Sequence, residues 1–218
     1  ITDHAEWLTR REWKDTISSI QNCASTSSDL DNPPIIPLLG WEWTQKSITK
    51  SKHYGHKNVI LRSIENDEIP LRPIGAEGKF FESLLRMPIS RMLGASLYDF
   101  KNRQNYFNFR HRKLITENLN RCPSDQPVRD LPDDCIERAI TPEILFNKLD
   151  DWGYDSMVIP HGTAWGNTAP PLAAWDTQLN KKNHNPDYQK LIELYSGHGN
   201  TEEYRSWRTL NVTKDNIL

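Results

Sequence analysis

Short apolar runs recur along this chain, and several end in a histidine or a glutamate. Ile1-Thr2-Asp3 leads into His4, Ile35 to Trp41 into Glu42, and Met157-Val158-Ile159-Pro160 into His161. Leu191 to Tyr195 is followed shortly by His198. Runs this short read as strands. Helical patterns separate them. Thr9 and Glu12 have capping-box spacing, with Trp13, Ile17 and Ile20 at helical intervals, which predicts a helix over 10–21. Thr141-Pro142-Glu143 opens another, with Leu145, Leu149 and Trp152 as its buried stripe and Gly153 as its stop. His56 to Leu61 reads as a strand, and 76–120 as mostly helical, with breaks near Pro88 and Gly94. Strands alternating with helices predict an α/β architecture with a largely parallel sheet or barrel.

The 218 residues suffice for one substantial domain. A net charge of −2 argues against a broad electrostatic grip on nucleic acid. The stretch Asn102 to Arg112, rich in Arg, Asn and aromatics, reads as a solvated helix face before a nucleic-acid or glycan surface. No run of about 18 apolar residues is present, so no membrane span is expected. The chain opens on Ile1-Thr2-Asp3-His4 without Met, which predicts that it begins inside a longer domain. Eight Trp argue for a folded, polar-surfaced domain. Cys122 and Cys135 bracket a Pro-rich stretch with little to bury. Closing a loop of about 15 residues is worth roughly 3 kcal/mol, so a disulfide is expected there, against two reduced thiols on a surface loop. Cys23 has no evident partner. A disulfide would point to a periplasmic or secreted protein.

In α/β barrels the ends of strands converge on one face, so residues distant in sequence can meet there. Imidazoles with a carboxylate suit Zn, Mn or Fe, and such an ion lowers the pKa of bound water to about 7. Each residue alone is weak evidence, because a His at a strand end is more often a hydrogen-bonding or surface group. Glu42 lies between Trp41 and Trp43, and a partly desolvated carboxylate needs a cation or donors nearby. No short metal motif of the H-E-x-x-H kind is present, so the case rests on the repetition.

Five segments carry a family resemblance: Thr2-Asp3-His4-Ala5-Glu6, Gly40-Trp41-Glu42-Trp43-Thr44, His53-Tyr54-Gly55-His56-Lys57-Asn58-Val59, Ile159-Pro160-His161-Gly162-Thr163-Ala164-Trp165-Gly166 and Tyr195-Ser196-Gly197-His198-Gly199-Asn200. In this order they resemble the DUF3604 family, related to the polymerase and histidinol phosphatase (PHP) superfamily, from residue 1 to about 208. The resemblance implies a distorted (β/α)7-type barrel with two or three divalent metal ions. The superfamily's opening His-x-His strand and closing Asp-x-His step are absent, which implies a barrel truncated at both ends. It further implies His4, Glu42, His56 and His161 as metal ligands, with Glu42 and His161 catalytic and Asp3 orienting His4. His53 competes with His56 for its role. Lys57 and Arg62 are candidates for pairing an anionic leaving group, or are solvated charges. Trp43, Thr163 and Trp165 flank the ligand steps, and Glu193 and His198 are candidate substrate or His-orienting groups.

The expected activity is that of a metal-dependent phosphoesterase acting on a small molecule through activated water. The alternatives are an amidohydrolase-like enzyme with a non-phosphate substrate, or a non-catalytic binding module built on Trp41, Trp43, Trp165 and Trp175. Asn211-Val212-Thr213 fits the N-glycosylation pattern.

Overall fold

The computed structural model describes residues 2–26, 32–77, 87–117, 119–161, 169, 170, 173, 175–177, 180, 182–196, 199 and 200. Its elements run α1 (Arg10–Ser25), β1 (Gly40–Thr44), β2 (His56–Leu61), β3 (Ile74–Ala76), α2 (Ile89–Tyr98), α3 (Arg103–Glu117), β4 (Asn120–Arg121), β5 (Cys135–Ala139), α4 (Pro142–Trp152), β6 (Ser156–His161), β7 (Tyr195–Ser196) and β8 (Gly199–Asn200).

The fold is mixed α/β, with no closed barrel among the described residues. β1, β2 and β6 form one antiparallel sheet in that order, and β3, β5 and β4 form a small parallel one. The expected partial (β/α)7 barrel is overturned by the direction of the first sheet. A parallel pair needs a crossover of a dozen or more residues, usually helical. Here residues 45–55, holding only the 3-10 turn Lys50–Lys52, return the chain beside itself, so β2 runs antiparallel to β1.

Two further strand expectations need correction. The run from Ile35 is not strand: Ile35, Ile36 and Leu38 are exposed, and β1 begins only at Gly40. A Cβ at residue 40 would lie 2.3 Å from the Val59 carbonyl oxygen, so this crossing requires glycine. Leu191, Ile192 and Leu194 are likewise exposed, and only Tyr195–Ser196 is extended, paired with β8.

Helix ends follow local chemistry closely. Thr9 and Glu12 form the capping box at the start of α1, which runs on to Ser25. Thr141 caps α4 through the Ile144 amide, and Gly153 ends it at φ 69°. In the helical region Pro88 precedes α2 as expected, but α2 continues through Gly94. One glycine costs only about 1 kcal/mol relative to Ala, which packing overrides. The break lies at the 3-10 turn Phe100–Asn102 instead.

Alternation divides the first sheet into two faces. Trp41 and Trp43 of β1, Lys57, Val59 and Leu61 of β2, and Val158 of β6 turn inward and are almost wholly buried. The Trp41 indole donates to the Ile74 carbonyl at 2.9 Å and the Trp43 indole to the Ala139 carbonyl at 3.1 Å. Each indole thus ties the first sheet to the second. Trp13 of α1 stands edge-on to Trp41 and donates to Pro70. Leu145, Leu149 and Trp152 of α4 complete the same core. These positions overturn Trp41 and Trp43 as parts of an exposed aromatic binding face.

The Glu6 carboxylate forms another tie. Its Oε1 accepts the Thr44 amide at 3.0 Å and the Ala76 amide, joining the ends of β1 and β3. Burial pushes this carboxyl up to about 7 despite Arg138 and the two amides.

Cys122 and Cys135 form a disulfide, with Cys135 opening β5 and Cys122 directly after β4. Arg72 donates to both sulfurs. Cys23 is a free, exposed thiol on α1. No helix among the described residues is long and apolar enough to cross a membrane.

Reducing the disulfide should cost about 3 kcal/mol by loop closure, lowering the urea midpoint; an unchanged midpoint would contradict the expectation. Glu12 supplies a separate test by pH. Burial raises its carboxyl, but Arg112 and the Thr9 amide outweigh this and hold it at about 2, against an ordinary 4.5. A carboxyl lowered in the folded state contributes fully above its unfolded value, and the contribution fades as pH falls through the folded one. Glu12→Gln keeps the capping box and removes the charge, so it should flatten the loss of stability between about pH 4.5 and 2, measured by urea unfolding at several pH values.

Candidate metal centre

The outer face of the first sheet carries the polar cluster. β1 places Glu42 and Thr44 there, because they alternate with the two buried Trp. Thr44 lies opposite His56 on β2, and His56 lies opposite His161 on β6, so the three form one row across the sheet. His4 joins from the other side of β1 through an isolated parallel bridge to Glu42, held by the Glu42 amide donating to the Asp3 carbonyl at 2.8 Å.

This register brings Glu42, His56 and His161 together with one ligand atom of each within 4.8 Å of the others. All three are buried, at 6%, 2% and 5% exposure, whereas the His4 side chain keeps 41% and sits at the rim. Glu42 Oε1 lies 2.6 Å from His56 Nδ1 and 3.4 Å from His161 Nε2, while Oε2 lies 3.5 Å from His4 Nδ1. Imidazole and carboxylate lone pairs repel, so such approaches require a proton or a cation between them.

Distances test the fit to a metal. Two ligand atoms about 2.1 Å from a tetrahedral ion stand about 3.4 Å apart. The His161 contact with Glu42, at 3.4 Å, matches that edge, whereas His4 Nδ1, 3.5 Å from the other carboxylate oxygen, is engaged by the Thr44 hydroxyl. The His56 contact at 2.6 Å is shorter and has the separation of a shared proton. One carboxylate with imidazoles is a donor set suited to Zn, Mn or Fe. Burial acts to raise the Glu42 carboxyl, but contacts from His161 and His56 overcome it and hold the group well below the usual carboxylate range. Glu42 is therefore anionic at neutral pH, as a ligand must be.

Neighbouring groups orient these side chains. Glu193 Oε2 lies 3.0 Å from His161 Nδ1, and the Glu193 amide donates to the Pro160 carbonyl. The carboxylate thereby leaves His161 Nε2 to face Glu42. Thr44 Oγ1 lies 2.5 Å from His4 Nδ1 and donates to Glu42 Oε1 at 3.3 Å. Sequence reasoning missed Thr44 and Glu6. For Thr44 a signal existed, since two residues on from Glu42 is the same face of a strand.

Other expected site residues lie elsewhere. Asp3 supports Glu42 through its backbone carbonyl, and it is Thr44 that meets His4 Nδ1. His53 is buried, with Nδ1 accepting the Ser47 amide at 3.5 Å, and the cluster gathers His56 instead. Lys57 turns to the core face, donates to the Tyr54 carbonyl at 2.6 Å and lies 5.3 Å above the Trp43 ring. Burial lowers its ammonium to about 7. Arg62 follows the far end of β2, roughly 20 Å from His56 at about 3.3 Å per residue, and bonds Asp155 at the surface. Neither cation therefore flanks the cluster as an anion clamp. Trp175 is half-buried in the 3-10 turn Trp175–Thr177. Thr163, Trp165, His198 and the Asn211-Val212-Thr213 segment lie outside the described residues.

Comparison with protein-family models, with curated proteins and with solved structures returns no match.

If Glu193 orients His161, Glu193→Gln should weaken Zn2+ or Co2+ binding about 10- to 100-fold while leaving the urea midpoint nearly unchanged. Titration by calorimetry reads this directly, and an unaltered affinity would remove Glu193 from the site.

Proposed function

We propose that this chain carries the metal centre of a hydrolase, with Glu42, His56 and His161 as its core ligands and His4 at its rim. The observation that supports it is the meeting of one carboxylate and two imidazoles from three strands in one buried cluster, with Glu42 beside the row that holds His56 and His161. The order of motifs resembling the DUF3604 and PHP groups supports the same reading. A divalent ion held by such a set supplies Lewis acidity and makes water a nucleophile at neutral pH.

The chain's own residues divide the remaining work. Glu42 directs Oε1 towards His56 and His161 and Oε2 towards His4, so one carboxylate meets all three imidazoles. Glu193 holds the His161 imidazole in orientation, and the Thr44 hydroxyl links His4 to Glu42. The buried floor of Trp41 and Trp43 keeps the strand rigid, which limits the reorganisation needed on binding. In hydrolysis the oxygen of water bonds to the electrophilic centre, the scissile bond breaks, and the proton of water goes to the departing atom.

A phosphate ester is the substrate class implied by the resemblance. The position of Lys57 and Arg62 away from the cluster removes the feature that would have favoured phosphate over an amide or another ester. The Cys122–Cys135 bridge supports an oxidising compartment, periplasmic or extracellular.

The metal-loaded protein should hydrolyse a substrate from a panel of phosphomonoesters, phosphodiesters, carboxylic esters and amides. Glu42→Gln and His161→Ala should each lower kcat/KM about 100-fold or more, beyond the usual effect of losing an orienting partner. Turnover that survives both substitutions, or no turnover on any substrate with stoichiometric metal bound, would overturn the proposal.

A further inference from the structure

The guanidinium of Arg72 stands against the Cys122–Cys135 bridge. Its Nη1 donates to Cys135 Sγ at 3.0 Å and to Cys122 Sγ at 3.4 Å, and Nη2 donates to the Leu131 carbonyl at 3.5 Å. Arg72 is only 4% exposed, and its Nε is buried without a hydrogen bond. Among the described residues no carboxylate bonds it. The acids around it are engaged elsewhere or stand in water: Asp133 pairs with Arg10 at 2.8 Å, Glu137 with Lys148 at 3.1 Å, and Asp134 is exposed. A buried cation calls for a partner of opposite charge, and a disulfide sulfur is only a weak, neutral acceptor.

Reduction supplies that partner. A thiolate at Cys135 places a full negative charge at the distance Nη1 already holds. The Pro132 carbonyl, 3.1 Å from the same sulfur, opposes this as a dipole, against the whole charge of the guanidinium. Cations beside a cysteine stabilise its thiolate, and a bridge whose reduced form is stabilised is the more readily reduced. The two sulfurs also differ in access. Cys135 is 8% exposed, whereas Cys122 is half-buried directly after the exposed strand β4. An external thiolate therefore reaches Cys122, and Cys135 is the departing sulfur.

We propose that the bridge is a thiol–disulfide exchange site, attacked at Cys122 by a dithiol, with Cys135 leaving as a thiolate paired to Arg72. The first sulfur of the dithiol, as thiolate, bonds to Cys122 Sγ; the Cys122–Cys135 bond breaks and its electron pair goes to Cys135. The second sulfur then bonds to the first and releases Cys122, which takes up the second sulfur's proton. The first thiol's proton passes to water. The dithiol is oxidised by two electrons to a disulfide, and the bridge is reduced by the same two. The Arg72 pair offsets part of the loop-closure cost of reduction. β5 keeps its pairing with β3, so exchange loosens β4 and the stretch 122–134. None of this depends on the metal-centre reading.

Buffers of oxidised and reduced dithiothreitol in graded ratio, followed by alkylation and mass spectrometry, read the equilibrium of the whole chain. Arg72→Met should shift it about tenfold or more towards the disulfide, about 30 mV for a two-electron couple, as loss of one hydrogen bond to a charged group implies. Arg72→Lys, which keeps a cation, should lie between that variant and the natural chain. An arginine with a merely structural role would lower the urea midpoints of both redox forms alike, whereas Arg72→Met should lower that of the reduced chain and spare the oxidised one. Two measurements need no variant and decide the matter even where Arg72→Met does not fold. With glutathione in place of the dithiol, the trapped mixed disulfide should sit on Cys122, and the reduced natural chain should show thiolate absorbance at neutral pH. A mixed disulfide on Cys135 or none at all, absent thiolate absorbance, or an equilibrium unmoved by Arg72→Met would reject the assignment.

Discussion

Alternation along β1 governs the site. A strand five residues long sends Trp41 and Trp43 to one side and Glu42 and Thr44 to the other. The indoles are buried and bonded into the second sheet, so the strand cannot slip by one residue without exposing two Trp and burying two polar groups. Burying an aromatic side chain of this size is worth a few kcal/mol, and a Trp-to-Ala change in a core typically costs about 3–5. Glu42 is therefore presented outward by the packing of its neighbours. The same alternation on β2 carries His56 outward and Lys57 inward.

Antiparallel pairing then completes the cluster. Directly opposed residues share a face, so Thr44, His56 and His161 fall into a row without any local motif in the chain. The row lies at one end of the sheet, where β1 and β6 finish and β2 begins. This explains how residues from three distant segments meet, and why no short spacing announces them.

Much of this was legible beforehand. The capping box at Thr9 and Glu12, the Thr141-Pro142 helix start and the Gly153 stop are local chemistry and appear where their residues stand. The Cys122–Cys135 bridge was legible too, because a Pro-rich stretch between two cysteines has little else to order it. The recurrence of His and Glu at the ends of apolar runs pointed to the residues that now cluster. Strand direction was not legible. Hydrophobic pattern reports which side of a strand is buried, but not which way a neighbour runs, so residues 45–55 decided the architecture unseen. Hydrophobicity also misled at Ile35–Leu38 and Leu191–Leu194, where apolar side chains remain on the surface. The fate of Lys57 and Arg62 depended on strand parity and length, which proximity in sequence to His56 conceals.

Glu6 accepts one amide from the end of β1 and another from β3 with the same oxygen, and its other oxygen is buried without a hydrogen bond among the described residues. Thr44, held through its backbone by Glu6, touches His4 and Glu42 through its hydroxyl. One side chain therefore makes the spacing between the two sheets and the attitude of the cluster a single mechanical variable. Substitutions in the parallel sheet that shift Ala76 will be transmitted to the pocket, so selection on that remote strand is in part selection on the chemistry of the site.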